Sequence, residues 1–458
     1  MNIHSSAEYL SAIRSHETLS RKDQILLILQ LSWPAILAQI SVTVMQLIDA
    51  SMAGQLGASA AASIGLVSSS TWLIHGLCSG AVFGFSVQCA QAIGARNRKE
   101  AVSLSRQGIY CVLVIGLLIG SLGFLMAGQV PLWLGGEAAI QADASAYLSI
   151  FCLSMPFVLL NSCSVQMLQA AGNTKLPGLV QIVMCLLDVT FNYLFIFVMG
   201  LGVAGAALGT AASEVCSSLF LSWNIFFRDP FLKGGLHAGY TRSSLKKALK
   251  IGLPVSAEQL VTGSSYVMFT RIVSSLGSIS IAANSFAITA ESLCYMPGYG
   301  CASAATAIIG QCTGASRPGL SKEIGWRICR IGVLMMTVSG IAMFALAPVL
   351  MRILTPVPEI ADLGVRILRL EAFAEPMYGA SIVVTGILRG KGDTLWPAVL
   401  NLLSIWCVRI PLAALLASSY GLFGAWIAMN IELNVRGLLF LFRMKQVFSR
   451  RKMGSQRT

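Results

Sequence analysis

Ten ionisable residues stand inside apolar stretches, where charge is costly. Asp49, Asp188 and Glu214 lie in the first half of the chain; Glu258, Glu291, Glu371, Glu375, Arg409, Glu432 and Arg436 lie in the second. A charge at the centre of a bilayer costs about 2.5–3.5 kcal/mol on insertion scales, so each needs a reason. Asp188 and Asn192 are spaced i,i+4 and share a helix face. A desolvated carboxylate beside amide and hydroxyl oxygens can hold Na⁺ or take up a proton. Glu432 and Arg436 are also i,i+4, the spacing of a local salt bridge. Glu214 has no such partner within its own helix.

The elements that must position these groups are membrane helices. The 458 residues are 55% hydrophobic and 11% charged, with a mean hydropathy of +0.74; a soluble chain carries about 25% charged residues. Twelve apolar segments are long enough to span, at roughly 25–50, 60–89, 107–128, 145–171, 177–199, 203–226, 247–273, 280–310, 328–350, 363–388, 395–418 and 421–445. The expected fold is an all-α polytopic membrane protein.

The segments repeat. Pro34 recurs as Pro254, Leu56-Gly57 as Leu276-Gly277, Gly94-Ala95 as Gly314-Ala315 and Pro156 as Pro376, each 220 residues on. Gly172-Asn-Thr-Lys-Leu-Pro177 recurs as Gly392-Asp-Thr-Leu-Trp-Pro397. The pattern implies two homologous halves of six helices. Six is even, so both halves enter the membrane from one side and are expected to form two pseudo-twofold-related six-helix bundles. The division reads as an N-terminal segment 1–23, an N-lobe 24–226, a linker 227–245, a C-lobe 246–445 and a basic tail 446–458. The linker has turn chemistry in Arg228-Asp-Pro-Phe-Leu-Lys-Gly-Gly-Leu-His-Ala-Gly239. A stretch at 242–250 reads as an amphipathic helix lying along the membrane face.

The net charge of +13 is explained by topology. Arg96, Arg98, Lys99 and Arg106 come after segment 2; Arg317, Lys322, Arg327 and Arg330 come after segment 8; the linker and tail are basic too. Lys and Arg accumulate on the cytoplasmic side, so both termini are expected inside, in the cell membrane. Nothing requires nucleic acid. The polar first 23 residues lack a signal core, so no processing is expected. The twelve cysteines show no CxxC and read as small hydrophobes.

Against the repeat, the second half carries extra acids. Glu258 replaces Ala38, Glu375 replaces Met155, and Glu291 has no acidic counterpart. Asymmetry between like halves points to an added role, substrate or ion binding, set against the plainer reading of a buried ion-pair network. Arg409 is the natural counter-ion for Glu258 and Glu375, a pKa-setting partner rather than a substrate contact. Tyr266, Tyr295 and Met296 are candidate walls of a substrate site, since aromatic faces and thioethers suit lipophilic cations.

Leu47-Ile-Asp-Ala-Ser-Met-Ala-Gly-Gln-Leu-Gly57, Gly252-Leu-Pro-Val-Ser-Ala-Glu-Gln-Leu260, Glu291-Ser-Leu-Cys-Tyr-Met-Pro-Gly-Tyr-Gly300, Ala374-Glu-Pro376, Leu388-Arg-Gly-Lys-Gly-Asp-Thr394 and Val408-Arg-Ile-Pro411 together resemble, in order, the multidrug and toxic compound extrusion (MATE) family, over nearly the whole chain. The resemblance implies two six-helix lobes around a central cavity and export of organic cations and other amphipathic compounds in exchange for Na⁺ or H⁺. It also implies a coupling site in which Asp49 and Thr210 match the family's acid on helix 1 and threonine on helix 6. On helix 5 this chain has Asp188 and Asn192 where the family has Asn and Asp. The acid and amide are kept but exchanged by one turn, and the identity of the ion stays open. Glu258, Glu291 and Glu375 match helices whose carboxylates contribute to cation or substrate binding in several branches.

The expected function is secondary active efflux by alternating access, working on a small amphipathic or cationic substrate, with H⁺ or Na⁺ as coupling ion, no cofactor, membrane lipids around it and a monomer as the working unit. No GxxxxGK[ST] loop is present, which excludes a P-loop for ATP. A lipid-linked precursor flippase would need several cations for a pyrophosphate, and only Arg409 stands clearly at depth. An ion channel or an intramembrane enzyme finds no filter, HExxH or Gly-x-Ser-x-Gly motif.

Overall fold

The computed structural model describes residues 5–235 and 241–449. The remaining part of the linker and the tail from 450 on lie outside the described residues. Every regular element among those described is helical: α1 (Ser6–Arg14), α2 (Arg21–Gln55), α3 (Ala58–Gly94), α4 (Arg98–Met126), α5 (Val130–Trp133), α6 (Ala138–Ala170), α7 (Lys175–Tyr193), α8 (Gly202–Phe227), α9 (Arg242–Ser274), α10 (Ser278–Gly314), α11 (Pro318–Leu354), α12 (Pro358–Glu371), α13 (Glu375–Gly390), α14 (Leu395–Ser404) and α15 (Ile410–Ser449). Single π-helical turns extend α7 over Leu194–Val198 and join α14 to α15 over Ile405–Arg409.

These elements give the twelve spans. α2, α3, α4, α6, α7 with its π turn, α8 and α11 are each long and apolar enough to cross a membrane. Leu395–Ser449 holds two spans, divided at Gly421, whose φ of 60° no ordinary side chain favours. The other three are α9, α10 and the α12–α13 pair. α12 and α13, of 14 and 16 residues, are each too short to cross alone, and the three together carry Glu258, Glu291, Glu371 and Glu375.

Three local features differ from the sequence reading. Segment 10 is broken between Glu371 and Glu375, where Pro376 enters α13 in its first turn and offers no N–H. Residues 242–250 open α9 and are continuous with it. The polar N-terminus contains a helix, α1, started by a capping box in which Ser5 and Glu8 serve each other's backbone N–H. Tyr9, Leu10 and Ile13 line its buried face.

The packing forms two compact units. The N unit is Leu37–Ser256; the C unit joins Met1–Ile36 to Ala257–Thr458. The chain crosses between them inside α2 after Ile36 and inside α9 after Ser256, 220 residues apart and two residues past Pro34 and Pro254.

In the N unit, the core lies among α3, α4, α6 and α8 around Phe85, Met155, Leu159 and Met167. The opening of α9 is held there: Ser256 Oγ donates to Leu77 O at 2.6 Å, and Ala248 lies against Gly84. The buried Arg106 guanidinium donates to Leu232 O at 3.0 Å and Gly234 O at 3.2 Å, pinning the linker.

In the C unit, α10 to α13 and α15 close around Met343, Ile367 and the fully buried Trp426, whose indole donates to Asn284 at 3.0 Å. Arg317 donates to Ala12 O and Ile13 O at 3.2 and 3.3 Å, capping the end of α1.

Candidate functional site

In the N unit three helices bring their polar groups together. α2 supplies Asp49, α7 supplies Asp188 and Asn192, and α8 supplies Thr210 and Ser213. The i,i+4 spacing on α7 works as read: Asn192 Nδ2 donates to Asp188 at 2.9 Å and also to Asp49 at 2.8 Å. Ser213 Oγ donates to the other Asp188 oxygen at 3.2 Å. The Thr210 hydroxyl donates to Ala206 O at 3.3 Å. Asp188 and Asn192 are buried, while Asp49 is half-buried. Asn192 Oδ1 is buried with no hydrogen-bond partner. It faces Gly209, where a Cβ would collide with it.

Two carboxylates bridged by one amide have an excess of acceptors. With Asn192 Oδ1 left unpaired, the set offers hard oxygens to a monovalent cation or a seat for a proton. Ser213 was not singled out from the sequence; its i+3 position from Thr210 was the available signal.

The C unit answers the same positions differently. Arg409 is one residue past the repeat equivalent of Asp188, and Glu432 matches Ser213 at an offset of 219. There Arg409 donates to Glu432 at 2.7 and 3.0 Å. Arg436 donates to the same carboxylate at 2.7 and 2.8 Å, as the i,i+4 spacing predicts. Arg409 therefore pairs with Glu432, not with Glu258 or Glu375 as expected. Arg409 ends the π turn Ile405–Arg409, whereas Asp188 stands in the regular α-helix of α7, so the register of the repeat does not carry over to it.

The partner of Glu258 is Arg389. Its Nη2 lies 2.9 Å from Glu258 Oε2, and Asn401 Nδ2 donates to Oε1 at 2.7 Å. This clamp ties α9 to α13 and α14. Its repeat equivalents are Ala38, Gln169 and Gln181, so the ion pair with its amide belongs to the second half alone. Arg389 sits in the Leu388–Thr394 motif and was read there only as part of a resemblance.

Glu291, Glu371 and Glu375 are buried in the C unit, and all four oxygens of Glu371 and Glu375 are without a hydrogen-bond partner. Tyr295 stacks edge-on against Tyr299 and Tyr378, at 5.8 and 5.6 Å between ring centres. Tyr266 is exposed and Met296 half-buried. The structure thus gathers the N-unit residues into one cluster, but separates Glu258 in its clamp from the other C-unit acids.

The MatE family profile matches residues 34–194 and 254–415, once in each half. The chain belongs to the MatE family. A probable multidrug resistance protein NorM of Thermotoga maritima is 28% identical over 90% of both chains. One from Streptococcus pneumoniae is 26% identical over 95% of this chain and 98% of its own. Among solved structures, an outward-facing multidrug resistance MATE family transporter of the MOP superfamily matches with a TM-score of 0.91 at 21% identity, covering 99% of this chain and all of the other. A MATE structure in the bent conformation matches at 0.89 and 21%, with the same coverage. These likenesses carry the fold. Within this MatE chain, the doubled match places the Asp188 position and its Arg409 neighbour in the two matched segments, one in each.

Proposed function

We propose that this MatE chain is a secondary active efflux transporter, exporting lipophilic or cationic drugs or metabolites in exchange for H⁺ or Na⁺. The observation that carries the reading is the Asp49–Asn192–Asp188 bridge with its unpaired amide oxygen, set against a counterpart in the other half filled by Arg409, Glu432 and Arg436. At these equivalent positions the first half keeps an open demand for a cation, while the second fills it with Arg409 and Arg436. The names of the NorM relatives support drug export.

In this mechanism the ion enters at Asp49 and Asp188, with Asn192, Thr210 and Ser213 as neutral ligands. Ion and drug favour different states of the transporter, so binding of one promotes release of the other. The two compact units, Leu37–Ser256 and Met1–Ile36 with Ala257–Thr458, take the place of the lobes 24–226 and 246–445 read from the sequence and rock to expose the sites alternately, with α2 and α9 carrying the chain from unit to unit. Glu291 and Glu375, with Tyr266, Tyr295 and Met296, form the substrate region; Glu258, held by Arg389, takes part in coupling or substrate binding. The protein works as a monomer in the cell membrane with both termini inside.

The test is dye efflux from proteoliposomes under a pH gradient and a Na⁺ gradient, imposed separately, with Asp49→Asn alongside. Efflux driven by one gradient and lost in the folded variant is expected. Efflux driven by neither overturns the reading and directs the search to lipid-linked substrates.

A further inference from the structure

Among the described residues, Glu214 is the one intramembrane acid of the N unit left outside the Asp49–Asp188 cluster. It lies on α8, one residue past Ser213. Along that helix Thr210, Ser213, Glu214, Ser217, Ser218 and Ser222 recur at spacings of three and four, making one polar stripe on an otherwise apolar span.

The stripe is wired to α6. Asn161 Nδ2 donates to Glu214 Oε2 at 2.8 Å, and Ser217 Oγ donates to Asn161 Oδ1 at 2.9 Å. One turn further, the Ser164 and Ser222 hydroxyls meet at 3.1 Å. Asn161, Ser164, Ser213, Ser217 and Ser222 are all buried. Asn161 Nδ2 also lies 3.5 Å from the sulfur of Met184, one α7 turn before Asp188. The two clusters therefore stand side by side, about one turn apart along α7, with Ser213 of the first and Glu214 of the second adjacent on α8.

A carboxylate at this depth ordinarily finds a cation. Among the described residues, no ion pair engages Glu214; its partner is a neutral amide. An amide and hydroxyls cannot neutralise a desolvated charge, so the group calls for a mobile positive charge. The hydrogen-bonded groups run over ten residues from Ser213 to Ser222, ~13 Å of helix. They lead toward the end of α8 at Phe227, where the basic linker begins.

We propose that Glu214 is a second carrier of the exchanged proton, passing it between Asp188 and the linker end of α8. The proton leaves the Asp188 carboxyl, crosses through Ser213 and one water, and protonates the Glu214 carboxylate. Asp188 is left ionised and Glu214 neutral; no other bond changes. Asn161, fixed by Ser217, orients the accepting oxygen. This inference rests on the reading of the chain as an ion-coupled exporter and narrows the ion to H⁺.

The experiment uses the full chain in proteoliposomes with a cationic dye, comparing Glu214→Gln and Glu214→Asp with the parent. Two readouts are needed: dye efflux driven by a pH gradient, and dye–dye counterflow with no gradient, which needs no proton release. Glu214→Gln is expected to lose at least about tenfold of pH-driven efflux while counterflow stays within about twofold, the lower part of that loss matching an ordinary coupling free energy. Glu214→Asp is expected to recover part of it. Unchanged pH-driven efflux in Glu214→Gln overturns the relay, as does parallel loss of efflux and counterflow, which marks a structural group. Efflux driven by Na⁺ alone also overturns it while leaving antiport standing; no gradient-driven efflux in the parent overturns antiport itself.

Discussion

Arg409 grips Glu432 at 2.7 and 3.0 Å in the place where the first half sets Asp188 against Ser213. The two halves share a fold and differ in who supplies the positive charge. Glu432 is shared by two guanidiniums, since Arg436 binds it as well. Removing the acid strands both cations, whereas removing Arg409 leaves one pair intact. Glu432→Gln is therefore expected to destabilise by about 3–5 kcal/mol and Arg409→Gln by clearly less. Thermal unfolding in detergent ranks them; the reverse order would refute this account of the cluster.

Asp49→Asn and Asp188→Asn remove the demand for a cation while keeping shape. Ion-dependent drug release is expected to fall about 5–150-fold in each, the span of ordinary coupling free energies, with little change in melting temperature. Flux assays at matched protein incorporation check this. Full activity in both variants would move coupling to the C unit.

Gly209 has no room for a methyl group, because Asn192 Oδ1 occupies it. Gly209→Ala is expected to push Asn192 off its two carboxylates, with about 1–3 kcal/mol of overpacking and loss of ion-driven flux. Gly54 has open space where a methyl group would stand and gives the control, Gly54→Ala. Equal behaviour of the two variants would show that Asn192 placement does not matter.

The Glu258–Arg389 clamp separates architecture from transport. Arg389→Gln leaves Glu258 with Asn401 but without its cation, and is expected to destabilise more than the double variant Glu258→Gln/Arg389→Gln. If Glu258 serves exchange as proposed, the double variant regains stability but not efflux. Recovery of both would confine Glu258 to a structural role.

Much of the fold was legible because its signals are periodic or local. Repeated prolines and glycines revealed the halves, and i,i+4 spacing found Asn192 beside Asp188 and Arg436 beside Glu432. The clamp was not legible. Glu258 meets residues 131 and 143 positions away, and such meetings depend on how each helix is rotated. The pairing of Arg409 with Glu432 was hidden for the same reason, and Arg409 ends a π turn where Asp188 stands in regular α-helix. The break before Glu375 was equally hidden: the matching Pro156 lies inside the unbroken α6.

The crossovers after Ile36 and Ser256 impose a schedule on synthesis. A ribosome delivers residues up to Ile36 first, yet the surroundings they settle into begin only at Ala257. At about 5–20 residues per second, α1 and the opening of α2 wait roughly 10–45 seconds for their partners to be translated. The N unit, by contrast, becomes complete once Ser256 has emerged. Its maturation precedes that of the other unit, and the residues translated just ahead of it find their place only after it is complete.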